Sequence, residues 1–171
     1  MKNPFLNENK KEAVIKISDY YNKRIVANIL CEVIFSLWER KIGALITVQR
    51  RNNLEKFYHE NGVLIDAKLS KELVTVLFEP HSLLHDGAMI VEKDRIRACS
   101  VYFPLEPKKL KKTSINFGSR YRAALFITQI SDCVSIIVSG NDKKIIFFID
   151  GKAIEVNNFN YLTNLILNAL V

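Results

Sequence analysis

Two short segments of this chain carry the residue types that handle phosphate and divalent cations. The first is Leu84-His85-Asp86-Gly87-Ala88, and the second, further along, is Gly118-Ser119-Arg120-Tyr121-Arg122-Ala123-Ala124. A carboxylate and an imidazole bind a cation, while guanidinium groups and backbone donors bind phosphate oxygens, so the two segments together could hold a metal ion against a nucleotide triphosphate. Ala88 lets a ligand approach the backbone. Each piece also has a plain reading. An isolated Asp-Gly is ordinarily a turn, a lone histidine beside it a hydrogen-bonded structural residue, and Gly-Ser before an apolar helix a loop and N-cap. The last reading is compatible with phosphate binding, because a capped helix start exposes N–H groups and the positive end of the dipole.

Arg120 and Arg122 are two residues apart and diverge by about 200° on a regular helix. Either the helix begins after them, or only one touches a ligand while the other braces a neighbouring subunit. Between Pro104 and Arg122, four lysines (Lys108, Lys109, Lys111 and Lys112) and these two arginines face the single acid Glu106. The lysines read as an exposed connection.

The elements that must position these residues follow from periodicity. Val14, Ile17 and Tyr21 have helical spacing within residues 10–24, and a second stripe runs through Leu30, Val33, Ile34, Leu37 and Trp38. This predicts a helical extension followed by a packed core helix ending near Arg40. Residues 43–49 read as a strand closed by the turn Arg50-Arg51-Asn52-Asn53, and Ser70 caps a helix to about Phe78, stopped by Pro80. Residues 88–91 and 95–103 form a hairpin around Glu92-Lys93-Asp94, and a helix over 119–130 starts at the arginine cluster. A second strand pair, 134–139 and 143–149, turns at Gly140-Asn141-Asp142. A short strand near 153–156 precedes a final helix bearing Leu162, Leu165, Ile166 and Ala169. Hairpins mixed with helices predict an α/β single domain with a mixed central β-sheet flanked by helices. Residues 1–24 are the N-terminal helical extension and residues 25–171 the domain.

The 171 residues, 49% hydrophobic and 25% charged, suffice for a globular core without a metal or disulfide staple. Cys31, Cys99 and Cys133 sit in apolar sequence without ligand spacing, which predicts reduced, buried thiols and a cytoplasmic setting. The apolar run from Ile25 to Trp38, broken by Asn28 and Glu32, falls short of a membrane span, so any membrane anchor must lie outside this chain. The net charge of +7 favours an anionic partner. Nucleic acid is not the expected one, because the lysines cluster in one loop without a recognition motif.

The paired segments resemble the diadenylate cyclase domain family, whose signatures are an Asp-Gly-Ala turn and a Gly-Thr-Arg-His-Arg-Ala-Ala segment. Ser119 replaces the threonine and Tyr121 the histidine. The resemblance runs from about Ile29 to Leu170. It implies that Asp86 binds the catalytic metal, Mg²⁺ or Mn²⁺, with His85 as a further ligand. It also assigns Arg120 and Arg122 to catalysis, and Gly87, Ala88, Gly118 and Ser119 to ATP binding. Tyr102-Phe103-Pro104-Leu105 is similar to the family's adenine-lining segment, although a tyrosine in a strand is also often core. Val138-Ser139-Gly140-Asn141-Asp142 stands where the family has Val-Ser-Glu-Glu. Ser139 keeps the triphosphate contact, both glutamates are missing, and Asp142, one position further on, is the remaining acid for the metal.

The resemblance implies condensation of two ATP into cyclic di-AMP and two pyrophosphates by chains paired face to face. The missing glutamates motivate an alternative, a nucleotide or cyclic-dinucleotide sensor without turnover.

Overall fold

The computed structural model describes residues 4–104 and 118–170, with side chains described from Glu12 onward. The expected extension and core helix form one uninterrupted helix, α1 (Pro4–Glu39). Its character changes along its length. Val14, Ile15, Ile17 and Tyr21 are exposed, whereas Ala27, Leu30, Cys31, Ile34 and Leu37 are fully buried. Burial of each large side chain in the second half stabilises the fold by about 1.5–3 kcal/mol, so packing of that half anchors the whole helix. Among the described residues, no helix is long and apolar enough to cross a membrane.

After α1 come β1 (Ala44–Gln49), α2 (Glu55–Asn61), β2 (Val63–Lys68) and α3 (Lys71–Leu77). The hairpin β3 (Ala88–Glu92) and β4 (Arg95–Val101) follows, then α4 (Ser119–Ile130). β5 (Val134–Ser139), β6 (Lys144–Ile149), β7 (Lys152–Val156) and α5 (Phe159–Leu170) complete the order. The strands form one sheet in the order β2-β4-β3-β1-β5-β6-β7. The β1–β3 pair is parallel and its neighbours are antiparallel, which makes the expected mixed sheet.

The two-residue period of the strands divides the core into two layers. Ala44, Ile46 and Val48 face the layer built with α1, α3 and α5, while Leu45 joins the layer built with α2 and α4. In the sheet centre, Thr47 pairs with Ser135, and their hydroxyls satisfy each other at 2.8 Å. All three cysteines are free and buried. Burial pushes the Cys31 and Cys133 thiols up to about 11 and Cys99 up to about 12.

Ser70 caps α3 by accepting from the Leu73 N–H at 3.2 Å. Two elements have no counterpart in the sequence reading, α2 and β2. The start of α2 is held from outside the helix, with the Gln49 side chain accepting from Leu54 N–H at 2.8 Å, and β2 is an edge strand with exposed Val63 and Leu64. β4 stops at Val101, so Tyr102 and Phe103 follow the strand rather than complete it. The residues Leu105, Glu106, Lys108, Lys109, Lys111 and Lys112 lie outside the described residues.

Candidate functional site

The turn before β3 is fixed by Gly87, whose φ of +77° is disfavoured for other residues. A Cβ there would also lie 2.9 Å from the Ser100 carbonyl carbon and 3.0 Å from Val101 N, so the turn sits directly on β4. Asp86 is thereby held beside the end of that strand. Its Oδ2 accepts from the Tyr102 hydroxyl at 3.1 Å, and its Oδ1 lies 3.8 Å from Arg120 Nη2. The Asp86 carboxyl is held below the usual carboxylate range chiefly by the Gly87 N–H, with partial burial opposing and Tyr102, Arg120 and His85 assisting. The Tyr102 hydroxyl moves the other way, raised first by burial and then by its bond to Asp86. Asp86 remains largely exposed, so its contact with Arg120 contributes little to stability.

The neighbouring His85 is oriented by Ser82. Its Nδ1 is 2.6 Å from the Ser82 carbonyl oxygen, which can only accept, so Nδ1 donates and Nε2 is the nitrogen left for another partner.

Helix α4 begins at Ser119, with Gly118 as N-cap and no side-chain cap. Ser119 is therefore the first helical residue rather than the cap, and the first-turn N–H groups remain available to an anion. Both arginines lie in that first turn, which excludes a helix starting after them. Arg120 lines an open cleft of about 890 Å³ together with Gly118, Ser119, Ser139 and Asp142. Arg122 is not among the lining residues of that cleft, as the angular separation on a helix requires. The Nε of each arginine is buried without a hydrogen-bond partner among the described residues.

The other wall is the loop between β5 and β6. Ser139 Oγ is 3.3 Å from Asp142 Oδ2 and accepts from Asp142 N–H at 3.3 Å, which turns the loop's acid back onto its own serine. A Cβ on Gly140 would lie 2.4 Å from the Lys41 carbonyl oxygen, so a glutamate at that position would collide with backbone. Gly43 plays the complementary role, since a Cβ there would lie 2.6 Å from Arg120 Nη1. The sequence places Gly43 only at the start of a strand, because a close approach between distant segments leaves no local signal.

Among the described residues, no three His, Cys, Asp or Glu side chains gather as a metal site. Asp142 does not complete a three-ligand group with His85 and Asp86. Phe103 is buried and packs edge-on against Phe57 at 5.7 Å, so its environment is core rather than the expected nucleotide pocket. Ala88 is also buried, as the first residue of β3, whereas Tyr102 is half-exposed beside Asp86. Tyr121 lines the cleft and its ring meets Phe148 edge-on at 4.9 Å.

A mixed-sheet α/β domain with a carboxylate turn and an open helix start beside a cleft is a domain built to take an anionic ligand. The chain belongs to the DAC family, described as DisA bacterial checkpoint controller nucleotide-binding, whose model matches residues 31–153. It is 40% identical over 101 residues to the cyclic di-AMP synthase CdaA of Bacillus subtilis, a match covering 59% of this chain and 36% of that protein. It is 33% identical over 150 residues to a diadenylate cyclase of Mycoplasma genitalium, covering 82% and 73% respectively. The chain thus spans about a third of the length of the CdaA-type relatives, with 36% of CdaA matched. Its fold is similar to that of a double mutant of DacA from Staphylococcus aureus, with a TM-score of 0.77, 31% identity and coverage of 84% of this chain and 94% of that one. A structure of a hypothetical membrane spanning protein from Bacillus cereus matches with a TM-score of 0.69, 30% identity and coverage of 76% and 62%.

Proposed function

We propose that this chain is a diadenylate cyclase, a nucleotidyltransferase that condenses two ATP into cyclic di-AMP and two pyrophosphates. The observation that carries this reading is that Asp86, bonded to Tyr102, lies 3.8 Å from Arg120, which lines the cleft at the start of α4. In each half-reaction a ribose 3′-oxygen attacks the α-phosphorus of the other ATP. One P–O bond forms, the bond to pyrophosphate breaks, and the hydroxyl proton leaves. Two such steps close the ring.

In this reading the first-turn N–H groups of α4 and the Ser119 and Ser139 hydroxyls bind the triphosphate, while Arg120 offsets charge as it develops on the phosphates. Gly87 and Tyr102 hold Asp86 ionised and oriented. Tyr102, half-exposed, offers its ring to adenine. Arg122 serves in building the site from behind rather than in lining the cleft. Mg²⁺ or Mn²⁺ fits the Asp86 carboxylate, because such ions take one or two carboxylates and complete their shell with phosphate and water oxygens. Asp86 and the His85 Nε2 would hold it, and when bound it supplies charge neutralisation at the α-phosphate.

One chain offers one ATP site, so the reading requires two chains with their Asp86 faces opposed. The cyclase domain is taken as residues 25–171, residues 1–24 being a helical extension, and the cytoplasm, where ATP is available, is the proposed location. The test is dilution. Cyclic di-AMP formed per chain should fall as protein concentration drops through the range where sizing shows pairs giving way to monomers. A constant rate per chain from a population sized as monomers would contradict the two-chain reaction.

A second reading, a sensor that binds nucleotide without turnover, is favoured by the loop at Gly140 and Asn141, which lacks the family's acids. Binding of ATP without pyrophosphate release would establish it.

A further inference from the structure

A second cleft, of about 430 Å³, opens at the opposite end of the central strands. β1 and β3 run parallel, beginning beside Gly43 and Asp86 and ending at Gln49 and Glu92. About five residue rises, roughly 17 Å of strand, therefore separate the two ends. The second cleft is lined by Lys23, Arg50, Arg51 and Lys93 with the acids Asp19 and Asp94. Lys23 and Asp19 form an ion pair with each other at 2.8 Å. That leaves Arg50, Arg51 and Lys93 facing the single lining carboxylate of Asp94, and none of these three cations forms an ion pair within 4 Å among the described residues.

The cations stand on a braced turn. Arg50 donates to the Asp132 carbonyl at 3.1 Å, and the Asp132 carboxylate accepts from the N–H groups of Arg51 at 3.2 Å and Asn52 at 2.9 Å. Asn52 accepts in return from Asp132 N–H at 2.8 Å. Lys93 is carried on the β3–β4 hairpin at a φ of 53°. Val26, Ala169 and Leu170 add apolar wall. Guanidinium groups with a neighbouring ammonium match phosphate oxygens, and the apolar wall suits a small organic body. The volume falls within the ordinary range for small-molecule sites.

We propose that this cleft binds a phosphate monoester, separately from the Asp86 site. The phosphate could belong to a free small molecule or to a lipid headgroup, and the test separates these sources. Glycerol 3-phosphate and, separately, vesicles of phosphatidic acid in phosphatidylcholine are titrated against the full chain, with amide NMR shifts and calorimetry as readouts. Three proteins are compared: the wild type, Arg120→Ala and the double variant Arg51→Ala with Lys93→Asn, asparagine being tolerant of the positive φ.

Glycerol 3-phosphate should shift residues 49–51 and 93–94 in the wild type and in Arg120→Ala. It should bind the double variant at least tenfold more weakly, with thermal unfolding of that variant unchanged. Loss of vesicle binding alone in the double variant would give the site to a lipid headgroup. Shifts confined to residues 118–122, or binding of both probes unaffected by the double variant, would overturn the proposal.

Discussion

The Asp86 turn and the loop between Ser139 and Lys144 both depend on a glycine, for different physical reasons, and both carry an acid. Gly87 supplies a positive φ and lies against β4, so Asp86, held by the Gly87 N–H, still reaches Tyr102 and Arg120 outside its own loop. Gly140 supplies space, because the Lys41 carbonyl occupies the position of a Cβ. Its acid, Asp142, is spent on a local bond with Ser139. Backbone packing thus decides which turn can present a carboxylate and which position can accept one. The first turn presents its acid outward, and the second closes on itself.

The largest expected effect is at the first turn. Asp86→Asn keeps side-chain size and should lower cyclic di-AMP formation by about 10²–10³-fold, the scale of losing one preorganised electrostatic contact in an active site. Product chromatography gives the rate, and circular dichroism should show an unchanged fold because Asp86 is largely exposed. Wild-type turnover in that variant would remove the functional distinction between the two turns.

Next is Arg120→Ala, expected to reduce turnover by about 10–100-fold through loss of a fixed guanidinium at the cleft. Arg122→Ala should reduce it less, since Arg122 does not line the cleft. Equal kinetic losses would mean that the helix presents both residues to substrate.

The second turn should respond in stability. Gly140→Ala is expected to cost about 1–3 kcal/mol, typical of overpacking against an unyielding neighbour. Asn141→Glu, one residue along, should stay within about 0.5 kcal/mol as a surface change. Urea denaturation of both variants separates the steric requirement from the charge. A neutral Gly140→Ala would show that the Lys41 carbonyl yields.

The smallest effect concerns pH. The folded Asp86 carboxyl lies below its unfolded value, so its contribution to stability is present above the ordinary carboxylate range and is lost as pH falls through the folded value. Between pH 5 and strongly acid solution, unfolding midpoints of Asp86→Asn should fall slightly less steeply than those of the wild type. Exposure of Asp86 keeps the difference small.

The comparison also marks what local sequence can reveal. The Ser70 cap, the β3–β4 hairpin and the divergence of Arg120 from Arg122 are governed by residues a few positions apart, and were legible on that account. The helix α2 was missed because its support comes from Gln49 on the preceding strand, and β2 because its apolar residues remain exposed at the sheet edge. Within the site, the Tyr102–Asp86 bond and the clearance that Gly43 gives Arg120 join segments far apart in the chain. Phe103 looked like its neighbour Tyr102, yet packs into the core against Phe57. Periodicity offers no contrast between them once the strand has ended.

Incubation of the full chain with ATP and either Mg²⁺ or Mn²⁺, with mass identification of products and a pyrophosphate assay, tests the proposed reaction most directly. Cyclic di-AMP should accumulate with two pyrophosphates per molecule, and Asp86→Asn should lower both together by the same factor. Saturable ATP binding with neither product, in both metals and at concentrations where the chain is paired, would contradict the cyclase reading.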